Sequence, residues 1–147
     1  AAITGTRAWR SVRSNAVLYS DDLGATWAAA RWDWPVNVRA IAFEPTGLRG
    51  VAAGDSGYVW TTDDGGATWL DRGSSAGTTY VDAARLDDTI VLVDDHHAAW
   101  RSRDRGFARE SLAEDVSAAL TIEGREIVVL TTDGSVRVRE DGSVRRP

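Results

Sequence analysis

The octet Ser20-Asp21-Asp22-Leu23-Gly24-Ala25-Thr26-Trp27 returns nearly unchanged as Thr62-Asp63-Asp64-Gly65-Gly66-Ala67-Thr68-Trp69. A third, worn copy reads Ser102-Arg103-Asp104-Arg105-Gly106-Phe107-Ala108-Arg109. The aspartates at 22, 64 and 104 stand 42 and 40 residues apart. Self-similarity at a fixed period of this length is the mark of a repeat architecture, in which each supersecondary unit buries its apolar face against the next. Thr131-Thr132-Asp133-Gly134 is a short fourth echo.

The intervals between octets do not carry apolar residues at helical spacing. They are short β-prone runs broken by Gly, Asp and Ser. In the second unit, strands are expected at 38–43, 48–53, 58–62 and 69–72, with the octet as the turn between the last two. The third unit offers 79–85, 89–93, 98–102 and 107–111. The fourth offers 116–122, 126–131, 135–139 and a weak 143–146. The first unit has 6–12, 16–20 and 27–32, and lacks an inner strand unless residues 1–3 serve. Four short antiparallel strands per period of about 40 residues describe a propeller blade. The expected fold is therefore all-β: a propeller, or part of one, with four blades spanning about 1–34, 35–74, 75–112 and 113–147, the first incomplete.

Both full octets fit S/T-x-D-x-G-x-T-W, and the chain thereby resembles the Asp-box (BNR) β-propellers of the sialidase-like kind. The resemblance extends to photosystem assembly factors and to sorting-receptor ectodomains, which bind proteins without catalysis. It implies that each octet is the turn between the third and fourth strands of a blade. The residues suit such a turn. An Asp side chain accepts hydrogen bonds from backbone N–H groups in a tight loop, the Ser or Thr two residues earlier can share them, and Gly24, Gly66 and Gly106 can adopt positive φ without a Cβ penalty. Trp27 and Trp69 can wedge between blades, each burying roughly 150–250 Å². Arg109 replaces the third Trp, so that turn is expected to pack less well. On this reading Ser20, Asp22, Gly24, Thr26, Trp27, Thr62, Asp64, Gly66, Thr68, Trp69, Ser102, Asp104 and Gly106 are architectural. An EF-hand calcium loop is excluded, because the octets lack its alternating oxygen ligands and closing Glu.

Composition narrows the partners. The net charge of −5 disfavours nucleic acid, which calls for a basic stripe, and the 17 cationic residues are all Arg. With no cysteine there is no disulfide framework or thiolate metal site. No run approaches the 18 apolar residues of a membrane span. No basic, then apolar, leader is visible. The compartment stays open, with a secreted or periplasmic place compatible, and the absence of Met is read as a processed form or a fragment.

The resemblance raises a sialidase-like or other glycosidase as the alternative function. The family's F/Y-R-I-P motif is absent: Pro35, Pro45 and Pro147 follow no Arg-Ile pair. No catalytic residue is singled out among 22 acidic side chains. His96 and His97 are adjacent, would face opposite sides of a strand, and are not expected to hold a metal. No cofactor is expected. Blade topology puts the octets on one face and leaves the other for a protein or carbohydrate ligand. Arg13, Trp32, Trp34, Asp55, His96 and His97 fall on that second face, where Trp32 and Trp34 could stack on a ligand or staple blades. A ring left open would expose strand edges, so the chain is expected to self-associate or to join further blades of a longer chain. The reading is a non-catalytic binding or scaffold module.

Overall fold

A computed structural model describes residues 2–4, 7–12, 16–30 and 35–147. Among the described residues, sixteen strands form four separate four-stranded antiparallel sheets, each with its strands in chain order. Sheet 1 contains β1 (Ala2–Thr4), β2 (Arg7–Val12), β3 (Ala16–Ser20) and β4 (Ala28–Ala29). Sheet 2 contains β5 (Val38–Phe43), β6 (Gly50–Gly54), β7 (Val59–Thr62) and β8 (Leu70–Asp71). Sheet 3 contains β9 (Tyr80–Leu86), β10 (Thr89–Asp94), β11 (Ala99–Ser102) and β12 (Glu110–Ala113). Sheet 4 contains β13 (Thr121–Glu123), β14 (Glu126–Thr131), β15 (Gly134–Arg139) and β16 (Val144–Arg145). Among the described residues the only helical segment is one 3₁₀ turn, Asp55–Gly57.

The first sheet does have an inner strand: Ala2–Thr4 pairs with β2, Ile3 opposite Ala8. Three other expectations shift. The strand expected at 27–32 is Ala28–Ala29, residues 31–34 lying outside the described residues. The strand expected at 107–111 begins at Glu110, because the octet turn runs through residue 109. The strand expected at 116–122 is Thr121–Glu123. Val116 instead makes an isolated bridge to Thr131 and packs in the core, so apolar residues of the link serve packing rather than pairing.

The core lies between consecutive sheets. One cluster joins sheets 1 and 2 through Trp9, Val17, Ile41, Ala52, Trp60 and Trp69. A second joins sheets 2 and 3 through Val51, Ala53, Val59, Ile90 and Leu92. A third joins sheets 3 and 4 through Val91, Val93, Ile127, Val129, Val136 and Val138. This layering explains the sequence of β10, Thr-Ile-Val-Leu-Val-Asp: covered on both faces, it is buried throughout and shows no alternation. β15 alternates, with Val136 and Val138 turned to sheet 3 and Arg137 and Arg139 turned away, as suits a sheet covered on one face.

Candidate functional site

The three octets fold into turns that share three hydrogen bonds at equivalent positions. In the first, the Ser20 hydroxyl donates to Asp22 Oδ1 at 2.7 Å and accepts from the Gly24 N–H at 2.9 Å. Asp22 Oδ1 also accepts the Thr26 N–H at 2.8 Å, and Oδ2 accepts the Thr26 hydroxyl at 2.5 Å. Thr62, Asp64, Gly66 and Thr68 reproduce this at 2.7, 2.9, 2.9 and 2.5 Å. Ser102, Asp104, Gly106 and Ala108 keep the first three bonds, at 2.7, 2.8 and 2.9 Å, and lose the fourth with the missing hydroxyl. The Thr26 hydroxyl first, then Ser20 and the Thr26 amide, hold the Asp22 carboxyl down to about 2. At Asp64 burial acts upward, but the Thr68 and Thr62 donors outweigh it and the carboxyl is lowered. Asp104 is lowered in the same way, with the Ala108 amide leading the donors. Each carboxylate is ionised and already occupied by its own turn.

The residue that closes the second and third octets reaches the preceding sheet, and Trp27 packs within its own. Trp69 meets Trp9 edge-on, ring centroids 5.9 Å apart. The Trp27 indole N–H donates to the Gly24 carbonyl at 3.1 Å, and the Arg10 guanidinium lies 4.7 Å over its ring. Arg109, at the turn expected to pack less well, makes hydrogen bonds in place of apolar burial. Its Nε donates to Gly106 O at 2.8 Å, the carbonyl equivalent to the one that Trp27 uses, and its other nitrogens reach Gly57 O, Arg72 O and Gly73 O at 2.6, 3.1 and 3.0 Å. A planar, forked donor replaces apolar burial with charge-assisted hydrogen bonds. The fourth echo also sits elsewhere: Thr131 pairs with Gly134 across the β14–β15 hairpin, on the opposite face. The turn that follows β15 is Glu140–Ser143, where Asp141 accepts the Ser143 N–H at 2.8 Å.

On the octet face, sheets 2 and 3 share an ionic cluster. The buried Arg85 donates to Gly50 O and Thr62 O, both at 2.9 Å, and to Asp63 at 2.7 Å. Burial pushes the Arg85 guanidinium down from its usual value, against the opposing pull of Asp63. The buried Glu44 accepts the Thr46 hydroxyl at 2.9 Å and the Asp87 N–H at 2.8 Å. Arg49 Nη1 stands 3.5 Å from Glu44 and 3.2 Å from Asp87. A cleft of about 310 Å³ opens beside this cluster, bounded also by Arg125 and Glu140 of sheet 4, which pair at 2.7 Å. The arginine run at 101–105 is likewise engaged: Arg101 and Arg103 with Glu110, Arg105 with Asp88.

The opposite face carries the expected ligand residues that lie within the described part; Arg13, Trp32 and Trp34 lie outside it. Asp55 is held by Arg39 and by Asn37 Nδ2 at 3.3 Å. His96 pairs with Asp95 at 3.1 Å. Asp94, Asp95 and His96 place ligand atoms within 4.8 Å of one another, but Asp94 is committed to the His96 and Ala98 amides and to the Trp100 indole N–H at 3.0 Å. His97 lines a cleft of about 290 Å³ with Val81, Asp82, Val93, Val116, Ser117, Ala118 and Ala119. Sequence reading found His97 but not its neighbours. Val81 is 44% exposed on a strand otherwise mostly covered, and no periodicity in the one-dimensional pattern marks that. Asp82, the lone acid inside a β-prone run, was the available signal; it accepts the Leu120 N–H at 2.8 Å and so fixes the link that walls the cleft.

The sequence matches no described protein family and no curated protein. Solved structures are similar over nearly the whole chain. The chain is a partial β-propeller. A structure of YCF48 bound to D1 peptide matches with TM-score 0.67 at 17% identity, over 99% of this chain and 50% of that one. A nidogen–laminin complex matches with TM-score 0.67 at 15% identity, over 99% of this chain and 62% of that one. The GH74 xyloglucanase from Xanthomonas campestris matches with TM-score 0.63 at 21% identity, over 98% of this chain and 24% of that one. The partial propeller thus spans half or somewhat more of the first two and a quarter of the third. No helix among the described residues is long and apolar enough to cross a membrane.

Proposed function

We propose that this propeller segment is a non-catalytic recognition module that takes an extended stretch of a partner protein on the face opposite the octets. The octets are read as Asp boxes whose aspartates, spent on their own turns, serve architecture. One observation carries the reading: the cleft beneath His97 is walled by Val81, Val93, Val116, Ala118 and Ala119, with Asp82, Ser117 and His97 as its polar points. A mostly apolar concavity with a few convergent polar groups is the ordinary form of a binding site. Similar propellers whose printed descriptions name a bound peptide or a protein complex support a protein ligand.

The glycosidase reading draws on the likeness to the xyloglucanase. Such chemistry needs two carboxyl groups about 5–10 Å apart with open space between them. Glu44 and Asp87 line one cleft, and Arg49 contacts both carboxylates. Displayed random peptides selected on the purified chain test the first reading. Selected peptides should lose binding to Val81→Glu, while glycoside and sialoside substrates show no turnover. Turnover abolished by Glu44→Gln would replace the recognition module with a hydrolase.

A further inference from the structure

We propose that the Asp133–Gly134 bond is a site of spontaneous backbone rearrangement to isoaspartate, and that the rearranged bond loosens the link 115–117 that walls the His97 cleft. The four sheets above are the blades, numbered alike, and this bond lies at the tip of the β14–β15 hairpin of blade 4. The chain has three Asp-Gly pairs, at 64–65, 133–134 and 141–142. The last two are both followed by Ser, so their local sequence assigns them the same reactivity. In the rearrangement the Gly134 nitrogen attacks Cγ of the neutral Asp133 carboxyl group. A C–N bond forms, a Cγ–O bond breaks, and the oxygen leaves as water with the amide and carboxyl protons, closing a succinimide ring. Water then adds to one of the two ring carbonyls. Opening at Cγ restores aspartate. Opening at the main-chain carbonyl breaks the original peptide C–N bond. The chain then runs through Cβ and Cγ, one carbon longer, with a free α-carboxylate. Composition is unchanged, and water is the sole co-reactant. Glycine favours the attack because no Cβ shields its nitrogen.

Two observations separate Asp133 from the other two aspartates. The first is the freedom of its carboxylate. Asp64 accepts the Thr62 hydroxyl, the Thr68 N–H and the Thr68 hydroxyl at 2.7, 2.9 and 2.5 Å. Asp141 accepts the Ser143 N–H at 2.8 Å. The Ser143 hydroxyl and amide hold the Asp141 carboxyl below its usual value, so the neutral form that loses water is scarcer there. Asp133 is exposed, and among the described residues no hydrogen bond or ion pair engages its carboxylate. It can turn onto the following nitrogen without giving up a partner. The second observation is room. A Cβ at Gly142 would lie 2.1 Å from Arg103 Cγ, and one at Gly65 would lie 3.5 Å from Gly47 O. At Gly134 it would meet no atom within 4 Å, so the β14–β15 tip has open space for the flat ring.

The length of a short hairpin loop fixes the register of its strands. An added backbone carbon at 133 therefore displaces the residues just before it, and those residues hold the link. The Thr132 N–H donates to Asp115 O at 3.0 Å, and the Ser117 N–H donates to Leu130 O at 2.9 Å. Thr131 forms the isolated bridge to Val116. Val116 and Ser117 line the His97 cleft. The conversion thus moves the cleft wall whether or not a peptide is the ligand.

The purified chain is aged at neutral pH, folded or in concentrated urea, and isoaspartate is then mapped by mass spectrometry. Cleavage after Arg places the three sites in separate peptides, 50–72, 126–137 and 140–145. In the folded chain isoaspartate should accumulate in 126–137 about tenfold faster than in 140–145, the ratio set by one charge-assisted hydrogen bond that must first break. In urea the two rates should be similar. Asp133→Glu, at an exposed position, should abolish the product in 126–137, because the larger ring closes far more slowly. Hydrogen exchange on the separated aged chain should show lost protection at the Thr132 and Ser117 amides, with aged Asp133→Glu as the control. Equal rates at the two sites in the folded chain, or a faster rate in 140–145, overturn the proposal. So does a folded chain without isoaspartate in 126–137 when the chain in urea forms it, or unchanged amide protection after conversion.

Discussion

The Arg109 guanidinium donates to the Gly57 carbonyl at 2.6 Å, joining residues 52 apart in the chain and on different blades. Three of its four carbonyl acceptors belong to the preceding blade. A worn repeat has therefore exchanged an indole for a polar clamp without losing the junction. Arg109→Ala should cost about 1–3 kcal/mol, the loss of charged hydrogen bonds to partly buried carbonyls. Restoring the repeat consensus with Arg109→Trp should also destabilise, because those carbonyls lose their donor. Urea midpoints of the two variants check this; a Trp variant more stable than wild type would contradict it.

Gly66 and Gly24 separate backbone strain from packing. Both have positive φ, +92° and +91°. A Cβ on Gly66 would come within 2.3 Å of the Trp9 ring, whereas on Gly24 it would meet only Trp27 at 3.6 Å. Gly24→Ala should cost about 1 kcal/mol from φ alone. Gly66→Ala should cost a further 1–3 kcal/mol or so from overpacking. The difference is read from paired thermal or urea melts.

The octet aspartates set an acid limit. The folded carboxyl of Asp22 is lowered from 3.8 to about 2, so the fold favours its ionised form. Its stabilisation is complete above the unfolded value and is lost as pH falls from about 4 toward 2. Asp64 and Asp104 shift the same way. Asp22→Asn should therefore destabilise most at pH 6 and least at pH 2.5, flattening the acid limb of stability against pH. Urea titrations at the two pH values provide the comparison.

Arg85 is a strut between blades 2 and 3. Its side chain is fully buried and satisfies two strand carbonyls as well as Asp63. Arg85→Met keeps the bulk and removes the donors, and should cost about 3 kcal/mol by leaving buried acceptors unpaired. Asp63→Asn, at the half-exposed end of the pair, should cost less than about 1 kcal/mol. Equal effects of the two changes would show that the pair, rather than the carbonyls, carries the stability.

Much of the scaffold was legible because its strands announce themselves locally. Val38–Phe43, Ala16–Ser20 and Glu126–Thr131 coincide with their β-prone runs. The octets located their turns because the turn chemistry is closed within eight residues. What one-dimensional reading missed depends on partners distant in the chain. Arg109 looked like a defect, since its acceptors on Gly57, Arg72 and Gly73 are invisible in the octet. Thr131–Gly134 looked like an octet because Thr-x-Asp-Gly also suits a two-residue hairpin, and only the pairing of β14 with β15 tells the two apart. The His97 cleft draws its walls from two strands, a turn and an interblade link, so no single window of sequence contains it.

The central aspartate of each octet takes its hydrogen bonds from donors within the same eight residues. Such a module can be duplicated whole: a gene segment encoding it carries the instructions for its own loop. Divergence is then free to act on the residue that closes the octet, as Trp27, Trp69 and Arg109 record, while the hairpin beneath stays intact.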